Sequence, residues 1–229
     1  MAETALQTAY LIFYIISKFC HKRLKVDSLS EKTWYHGSDT RFESWQFPPP
    51  VKKGSELLVP HSAVFLTSDQ DYAARAGAHL CQSLLNKPEN ILDTVSDYHN
   101  SEMLRLEVMK NSLMARSMNV NQQFWHTGWA TGDVLRFTFS DPALAEHIEK
   151  MTRIQASRFS ITMNASQIIM GLNLTRGLIE VMVKATRSLG YDGFTGYEVD
   201  RHSAVNQKHA REIIAIMKPD LISEPDWIR

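Results

Sequence analysis

The sequence predicts an α+β fold, in which strands and helices are mixed rather than strictly alternating. Short apolar or alternating runs at 62–69, 103–111 and 211–222 are typical of strands. Longer stretches of helical composition, at 70–85 and 142–189, lie between them. With 229 residues, 44% of them hydrophobic, the chain can enclose one sizeable core. We therefore expect one large domain.

The composition argues against several classes of protein. Lys and Arg together number 25, as do Asp and Glu, so no global charge draws the chain to nucleic acid or an anionic membrane. Cys20 and Cys81 are too few for a disulfide scaffold and lack metal-ligand spacing, which predicts folding in a reducing compartment without a metal site. The Rossmann, P-loop, HExxH and GxSxG motifs are absent, which argues against the enzymes that use them.

The first 33 residues have a composition of their own. Residues 5–20 (ALQTAYLIFYIISKFC) are apolar and are followed by a basic run at 21–25. The apolar run is shorter than the roughly 20 residues that span a membrane, and no small-residue cleavage site follows it. We expect residues 1–33 to form a helical extension packed on the core, with a membrane-surface or partner helix as the alternative.

Local sequence signals predict the first strand and the first helix. The polar segment 27–33 leads into Trp34-Tyr35-His36, an aromatic-rich run that predicts a strand. Residues 47–56 (FPPPVKKGSE) contain three prolines and predict an exposed loop. After the apolar run that begins at Ser62, Thr67-Ser68-Asp69 is a helix N-cap signal and predicts a helix over 70–85.

Two further strands are predicted from residues that alternate between apolar and polar. In 103–111, Leu104, Leu106 and Val108 recur at period two, as in a half-buried strand. Residues 133–141 (DVLRFTFSD) behave in the same way.

The C-terminal half begins with helical composition. Residues 142–189 are mostly helical, and the glycines and asparagines at 164–177 predict a break. A clear helix over 176–190 ends at Gly190, the usual C-terminal glycine.

The remaining elements are short. Residues 191–197 (YDGFTGY) predict a strand or turn, and 211–222 predict a final strand stopped by Pro219. Within that strand Glu212 leads directly into IIAIM, where an ionised group is costly without a partner. Pairing with Arg211, Lys208 or another base at a strand end is the plain structural explanation for Glu212.

Four motifs follow one another along the chain. They are Tyr35-His36-Gly37, then 64–68 (VFLTS) with the helix that carries Tyr72, then 190–194 (GYDGF), and finally 211–214 (REII). In this order they resemble the ADP-ribosyltransferase fold. The resemblance is to its histidine-tyrosine-glutamate branch, which includes diphtheria-type toxins, poly-ADP-ribose polymerases and many small phage and bacterial proteins.

The resemblance covers about residues 34–222 and implies both a fold and an activity. The implied fold is a split β-sandwich with helices on its flanks, occupying residues 34–229. The implied activity is that of a glycosyltransferase, a mono-ADP-ribosyltransferase that cleaves the nicotinamide-ribose bond of NAD and modifies a protein side chain. Such a chain would be a bacterial effector or toxin, cytoplasmic in the producing cell or delivered into a host cell.

The resemblance also implies a role for each matched residue. Glu212 is the negative group beside a transition state that is positively charged at the ribose. Phe65 and Tyr72 stack on nicotinamide, Gly37 allows close approach of the backbone, and His36 bonds a ribose hydroxyl as a neutral imidazole. The implied NAD site is completed by Tyr35, Thr67 and Ser68. Taken individually, these residues have ordinary structural explanations as well.

The implied acceptor site lies in the loop 195–210. Tyr197, Arg201 and His202 are the residues there that could contact a target, and a solvated polar loop is the alternative. Arginine-specific relatives have arginine at position 36 and a second glutamate at 210, whereas this chain has His36 and Ala210, which disfavours arginine as the acceptor.

Two other functions remain open at this point. One is a non-catalytic binding module on the same fold, whose cleft no longer binds NAD. The other is a transferase that modifies nucleic acid, which the basic residues near Arg201 and Lys208 allow and the zero net charge disfavours.

Overall fold

The structure, a computed structural model, describes residues 29–51, 53–111, 142–199 and 210–229. Within these ranges it has the α+β architecture that the sequence predicts. The strands are β1 Trp34–Ser38, β2 Val64–Thr67, β3 His79–Ser83, β4 Ile91–Leu92, β5 Gly193–Val199, β6 Ala210–Ile216 and β7 Asp226–Trp227. The helices are α1 Gln70–Ala74, α2 Tyr98–Asn111, α3 Pro142–Phe159 and α4 Met163–Ser188. Short 3-10 turns cover Pro88–Asn90 and Pro219–Leu221.

The seven described strands form one mixed sheet in the order β4-β5-β6-β2-β1-β3-β7. Only β4 and β5 are parallel, and the other neighbours are antiparallel. In the register of the central strands, Thr67 lies opposite Tyr35 on one side and Ile213 on the other. The strand with the His-Gly pair is therefore separated from the strand with Glu212 by β2 alone.

Each face of the sheet carries its own hydrophobic cluster. The face covered by α2 and α4 buries Phe194 and Ala215, with Phe65 packed against them. The opposite face buries Trp34 and Ile214. Because successive residues of a strand point to opposite faces, Ala215 and Ile214 are neighbours in sequence but belong to different clusters.

Several local predictions are confirmed. The strands at Trp34–Ser38 and Val64–Thr67 are present, and 47–51 and 53–56 have no helix or strand. Asp69 is the N-cap of α1 and accepts a hydrogen bond from the Tyr72 backbone N–H at 2.8 Å. Gly190 follows the end of α4 with φ of 85°, a left-handed conformation that glycine adopts without strain.

The strand predicted at 103–111 is wrong, because these residues belong to helix α2. Leu104 and Val108 are fully buried, whereas Leu106 is 55% exposed. Residues four apart lie on one face of a helix, so the period-two pattern contained a helical pair, Leu104 and Val108. Because Leu104 and Val108 are buried and Leu106 is exposed, the helical period applies to this segment.

The helix predicted over 70–85 is only half right. Helix α1 ends at Ala74, and His79–Ser83 form β3 instead, paired with the whole of β1. Leu80 and Cys81 are buried in this strand. Pairing with β1 and burial of this pair outweigh the helical composition of the segment.

The break predicted at 164–177 is also wrong. Helix α4 runs without interruption from Met163 to Ser188 and contains Gly171, whereas the chain turns at Ser160, which has φ of 52°. Thr162 begins α4 by accepting a hydrogen bond from the Ala165 backbone N–H. A glycine inside a helix costs only about 1 kcal/mol, which the packing of α4 on α2 and α3 offsets.

The predicted final strand at 211–222 is shorter than expected and is not the last. Strand β6 ends at Ile216, and the short β7 follows the turn at Pro219–Leu221. Residues 1–28 of the predicted N-terminal extension, the strand at 133–141, and the residues Arg201 and His202 lie outside the described residues. None of the helices within the described ranges has the length and apolar character needed to cross a membrane.

Candidate functional site

A cleft of about 320 Å³ lies where β1, β2 and α1 meet. Six of the residues that the sequence assigns to an NAD site line it together: Tyr35, His36, Gly37, Phe65, Thr67 and Tyr72. They come from two strands and a helix, and the register of β1 against β2 brings them to one place. The aromatic side chains give the cleft surfaces on which a flat ring could stack.

Gly37 is required by the contact between β1 and α1. A Cβ atom at this position would lie 2.1 Å from the carbonyl oxygen of Ala73, a backbone atom that cannot move aside. The close approach that this glycine permits is therefore to the backbone of α1. By seating the helix directly on the strand, Gly37 also sets the position of Tyr72 over the cleft.

The imidazole of His36 is held by hydrogen bonding and by aromatic contacts. Its Nδ1 lies 2.9 Å from the carbonyl oxygen of Phe65, an acceptor, so Nδ1 carries the proton. The ring also packs edge-on against Trp45, with centroids 5.4 Å apart. In this tautomer Nε2 is a hydrogen-bond acceptor suited to a hydroxyl donor.

Asp69 and Arg211 fix helix α1 against β6. Asp69 caps the helix through the Tyr72 N–H, and its Oδ2 accepts from Arg211 Nη1 at 2.7 Å. The guanidinium of Arg75 lies 5.8 Å from the centroid of the Tyr72 ring. These contacts restrict Tyr72, which is otherwise carried by a helix of only five residues.

The carboxylate of Glu212 is bound on several sides. Lys32 Nζ donates to both of its oxygens, at 2.7 and 2.9 Å, and Ser68 Oγ donates to Oε2 at 3.2 Å. Thr67 Oγ1 donates to the main-chain oxygen of Glu212 at 2.7 Å. The expected pairing of Glu212 with a basic residue is confirmed, and the base is Lys32. Arg211 pairs with Asp69 instead, and Lys208 lies outside the described residues.

Glu212 stands beside the cleft rather than in its wall. Its neighbour Ile213 is the β6 residue that lines the cleft, and successive strand residues point to opposite faces. The side chain of Glu212 is only 15% exposed. The ring of His36 packs on Trp45 of the cluster that contains Ile214, so His36 and Glu212 share one face of the sheet.

Tyr197, predicted to contact an acceptor, is the cross-strand partner of Glu212. Burial raises the pKa of the Tyr197 phenol above its usual value, and the negative charges of Glu212 and Asp93 raise it further. The phenol therefore stays a neutral hydrogen-bond donor next to the carboxylate.

Two contributors to the site were not found in the sequence. Lys32 belongs to the segment interpreted as a polar linker, and nothing local marks it as the partner of a residue 180 positions away. Glu198 also lines the cleft. Glu198 lies four residues after Phe194 in β5, so the period-two alternation of a strand places both residues on one face of the sheet and could have marked Glu198.

Metal and thiol chemistry find no support in the parts of the chain that the structure describes. No group of three or more His, Cys, Asp or Glu side chains there could hold a metal ion. Burial raises the pKa of the Cys81 thiol to about 12, so the reactive thiolate is scarce at neutral pH.

The chain matches no protein-family model, no curated protein and no solved structure.

Proposed function

We propose that this chain is an NAD-dependent mono-ADP-ribosyltransferase that acts on a protein. The observation that carries the proposal is the convergence of three distant segments. Residues of β1 and of β2 with α1 line one cleft together with Ile213 of β6. Glu212, the neighbour of Ile213, stands beside the cleft, where Thr67 bonds its main-chain oxygen and Ser68 bonds its carboxylate. The division of the sheet into a split β-sandwich stays a prediction that belongs to this proposal.

The chemistry requires a fixed negative charge near the ribose. As the bond from nicotinamide to C1′ breaks, positive charge develops on the sugar, and a preorganised carboxylate stabilises it. Ser68, bonded to Glu212 Oε2 at 3.2 Å, would hold that carboxylate in place. The same carboxylate could take a proton from the attacking acceptor.

The cleft supplies groups suited to the rest of the dinucleotide. Phe65 and Tyr72 offer aromatic faces for the nicotinamide ring, worth on the order of 1 kcal/mol per stacked pair beyond the area buried. His36 would accept a hydrogen bond from a ribose hydroxyl through Nε2, since its Nδ1 is engaged with Phe65.

The Glu212→Gln variant tests the proposal. The amide has nearly the same shape but no charge, so we expect the variant to fold and bind NAD while transfer falls roughly hundredfold or more. The measurement uses isotopically tagged NAD with a cell lysate, followed by mass spectrometry of the protein and nucleic-acid fractions. Glu146→Gln, an exposed position on α3, is the matched control. Equal transfer by wild type and Glu212→Gln would falsify the proposal.

A second candidate is a binding module on the same fold that performs no transfer. The observation that favours it is the ion pair between Lys32 and Glu212, in which the ammonium compensates the negative charge of the carboxylate. Calorimetry with NAD, combined with measurement of free nicotinamide, separates the two functions. The absence of both binding heat and nicotinamide release supports the module, whereas NAD-dependent heat with release of nicotinamide supports the enzyme.

A further inference from the structure

We propose that the cleft selects a flat aromatic ring that carries a positive charge, and that Glu198 is the residue that sets this selectivity. Glu198 lines the cleft and is not among the residues to which the resemblance gives a role. The inference rests on the proposed function for its ligand, because the nicotinamide ring of NAD is a pyridinium cation. The free nicotinamide that leaves is neutral.

The lining of the cleft combines aromatic faces with one charged side chain. Among the described residues that line it, Tyr35, Phe65 and Tyr72 are aromatic, Glu198 is acidic, and none is a lysine or an arginine. The face of an aromatic ring attracts a cation electrostatically, and a carboxylate nearby adds to that attraction. The described lining therefore suits a ring that is both flat and positively charged.

The register of the sheet places these groups along one floor. Tyr35 lies opposite Thr67, Thr67 opposite Ile213, and Ile213 opposite Gly196 of β5. Glu198 follows Gly196 by two residues and so projects from the same face of the sheet. Since strands lie about 4.8 Å apart, a ring above β2 is roughly 10 Å from β5, a distance over which a partly buried charge still acts.

Two other polar groups of the lining are already engaged within the protein. Thr67 Oγ1 donates to the main-chain oxygen of Glu212 at 2.7 Å. His36 Nδ1 donates to the carbonyl oxygen of Phe65 at 2.9 Å. Discrimination between a charged and a neutral ring therefore falls to the carboxylate of Glu198.

The charged groups next to Glu198 leave an excess of negative charge. Its cross-strand partner is Arg211, which bonds Asp69 at 2.7 Å, so two carboxylates stand against one guanidinium. Arg75 lies 5.8 Å from the centroid of the Tyr72 ring, but it is exposed and is not part of the lining. Solvent therefore screens the charge of Arg75 more than that of the half-buried Glu198.

The selectivity has a consequence for the order of events in the proposed reaction. When the bond from the ring to the ribose breaks, the ring becomes neutral and loses its attraction to Glu198. The site would thus hold the substrate ring more tightly than the product ring, which favours release of nicotinamide.

The experiment compares two probes of the same shape that carry no ADP-ribose. 1-Methylnicotinamide is a cation, and 3-methylbenzamide is its neutral counterpart. In NMR titrations of the full chain we expect the cation to bind about fivefold more tightly or better. Glu198→Gln should abolish this preference and leave the affinity for 3-methylbenzamide within about twofold.

Two further variants control for the charge and for its position. Glu198→Asp keeps the carboxylate and should retain the preference. Glu146→Gln removes an exposed charge on α3 and should behave as wild type. In wild type itself, the side-chain carboxyl carbon resonance of Glu198 should shift with 1-methylnicotinamide and not with 3-methylbenzamide, a readout that does not depend on how a variant folds.

The outcomes separate this inference from the proposed function. Equal affinity of wild type for the two probes, binding of neither, an unmoved Glu198 resonance, or an unchanged preference in folded Glu198→Gln each overturns the inference. Cleavage of NAD by a chain that binds both probes equally leaves the transferase in place. A preference that depends on Glu198, in a chain that never cleaves NAD, supports the cation site and removes the transferase.

Discussion

Asp69 accepts a hydrogen bond from Arg211 Nη1 at 2.7 Å and thereby joins the helix that carries Tyr72 to the strand that carries Glu212. Its other oxygen caps that helix at the Tyr72 N–H. The Asp69 carboxylate therefore links the segment of Tyr72 to that of Glu212, two of the proposed functional residues.

Replacing Asp69 should therefore affect both stability and binding. We expect Asp69→Ala to lower the free energy of unfolding by about 1–2 kcal/mol through the lost cap, and to weaken NAD binding because Tyr72 is no longer held. Urea denaturation and calorimetry measure the two effects. Asp71→Ala, an exposed neighbour in the same helix, is the control. Similar losses from both variants would contradict this role of Asp69.

Two glycines should respond to the same substitution with opposite signs. Gly37→Ala places a methyl group 2.1 Å from a backbone oxygen of α1, so we expect a loss of about 1–3 kcal/mol and a disturbed cleft. Gly171→Ala meets nothing within 4 Å and lies inside α4, so we expect a gain of up to about 1 kcal/mol. Thermal unfolding compares them, and destabilisation by Gly171→Ala would count against an uninterrupted α4.

A pair of leucines distinguishes a helix from a strand at 103–111. Leu104 is fully buried in α2, and we expect Leu104→Ala to cost about 2–5 kcal/mol. Leu106 is 55% exposed, so Leu106→Ala should cost about 0.5 kcal/mol or less. A half-buried strand would place both side chains on one face, and equal losses in urea denaturation would favour that strand.

Because of Glu180, the free energy of unfolding should depend on pH in the acidic range. Its Oε1 accepts from the Ser62 N–H at 3.0 Å and lies 3.4 Å from His61 Nδ1, and its Oε2 accepts from Ser62 Oγ. Burial raises the pKa of Glu180, but the nearby imidazole of His61 and the hydrogen bonds from Ser62 outweigh it, so the pKa lies below the usual 4.5.

A carboxyl group whose pKa is lowered by folding stabilises the protein above its unfolded pKa, and this contribution is lost as the pH falls through the folded pKa. We therefore expect wild type to lose about 1–3 kcal/mol relative to Glu180→Gln as the pH falls below the usual 4.5. Urea denaturation at a series of pH values measures this, with Glu146→Gln as the control. Parallel curves for wild type and Glu180→Gln would exclude the proposed linkage.

The parts of the fold that the sequence predicted correctly depend on local signals. The cap at Asp69, the glycine at Gly190 and the prolines of 47–56 each act within a few residues of their own position. Strand β3 and helix α2 were missed because pairing with β1 and burial of Leu104 decide them, and neither is visible in a short window.

The residues of the candidate site likewise fall into those that local signals predict and those that depend on distant contacts. Six of the predicted site residues line one cleft, because they lie in short segments whose strand and helix signals are local. Lys32 and the pair of Asp69 with Arg211 could not, because each depends on which side chains the sheet brings within hydrogen-bond distance. A polar residue gives no local sign of such a partner.

Strand β6 lies between β2 and β5, so a ligand in the cleft would contact segments that are far apart in the sequence. Thr67 lines the cavity and donates a hydrogen bond to the main chain of Glu212, 145 residues away, whose neighbour Ile213 also lines it, so the walls of the cavity come from distant parts of the polypeptide. A ligand bound in the cavity would contact both parts of the chain, and local unfolding of either part would release the ligand. Occupancy should therefore slow hydrogen exchange and proteolysis across the whole sheet, not only in the segments it touches.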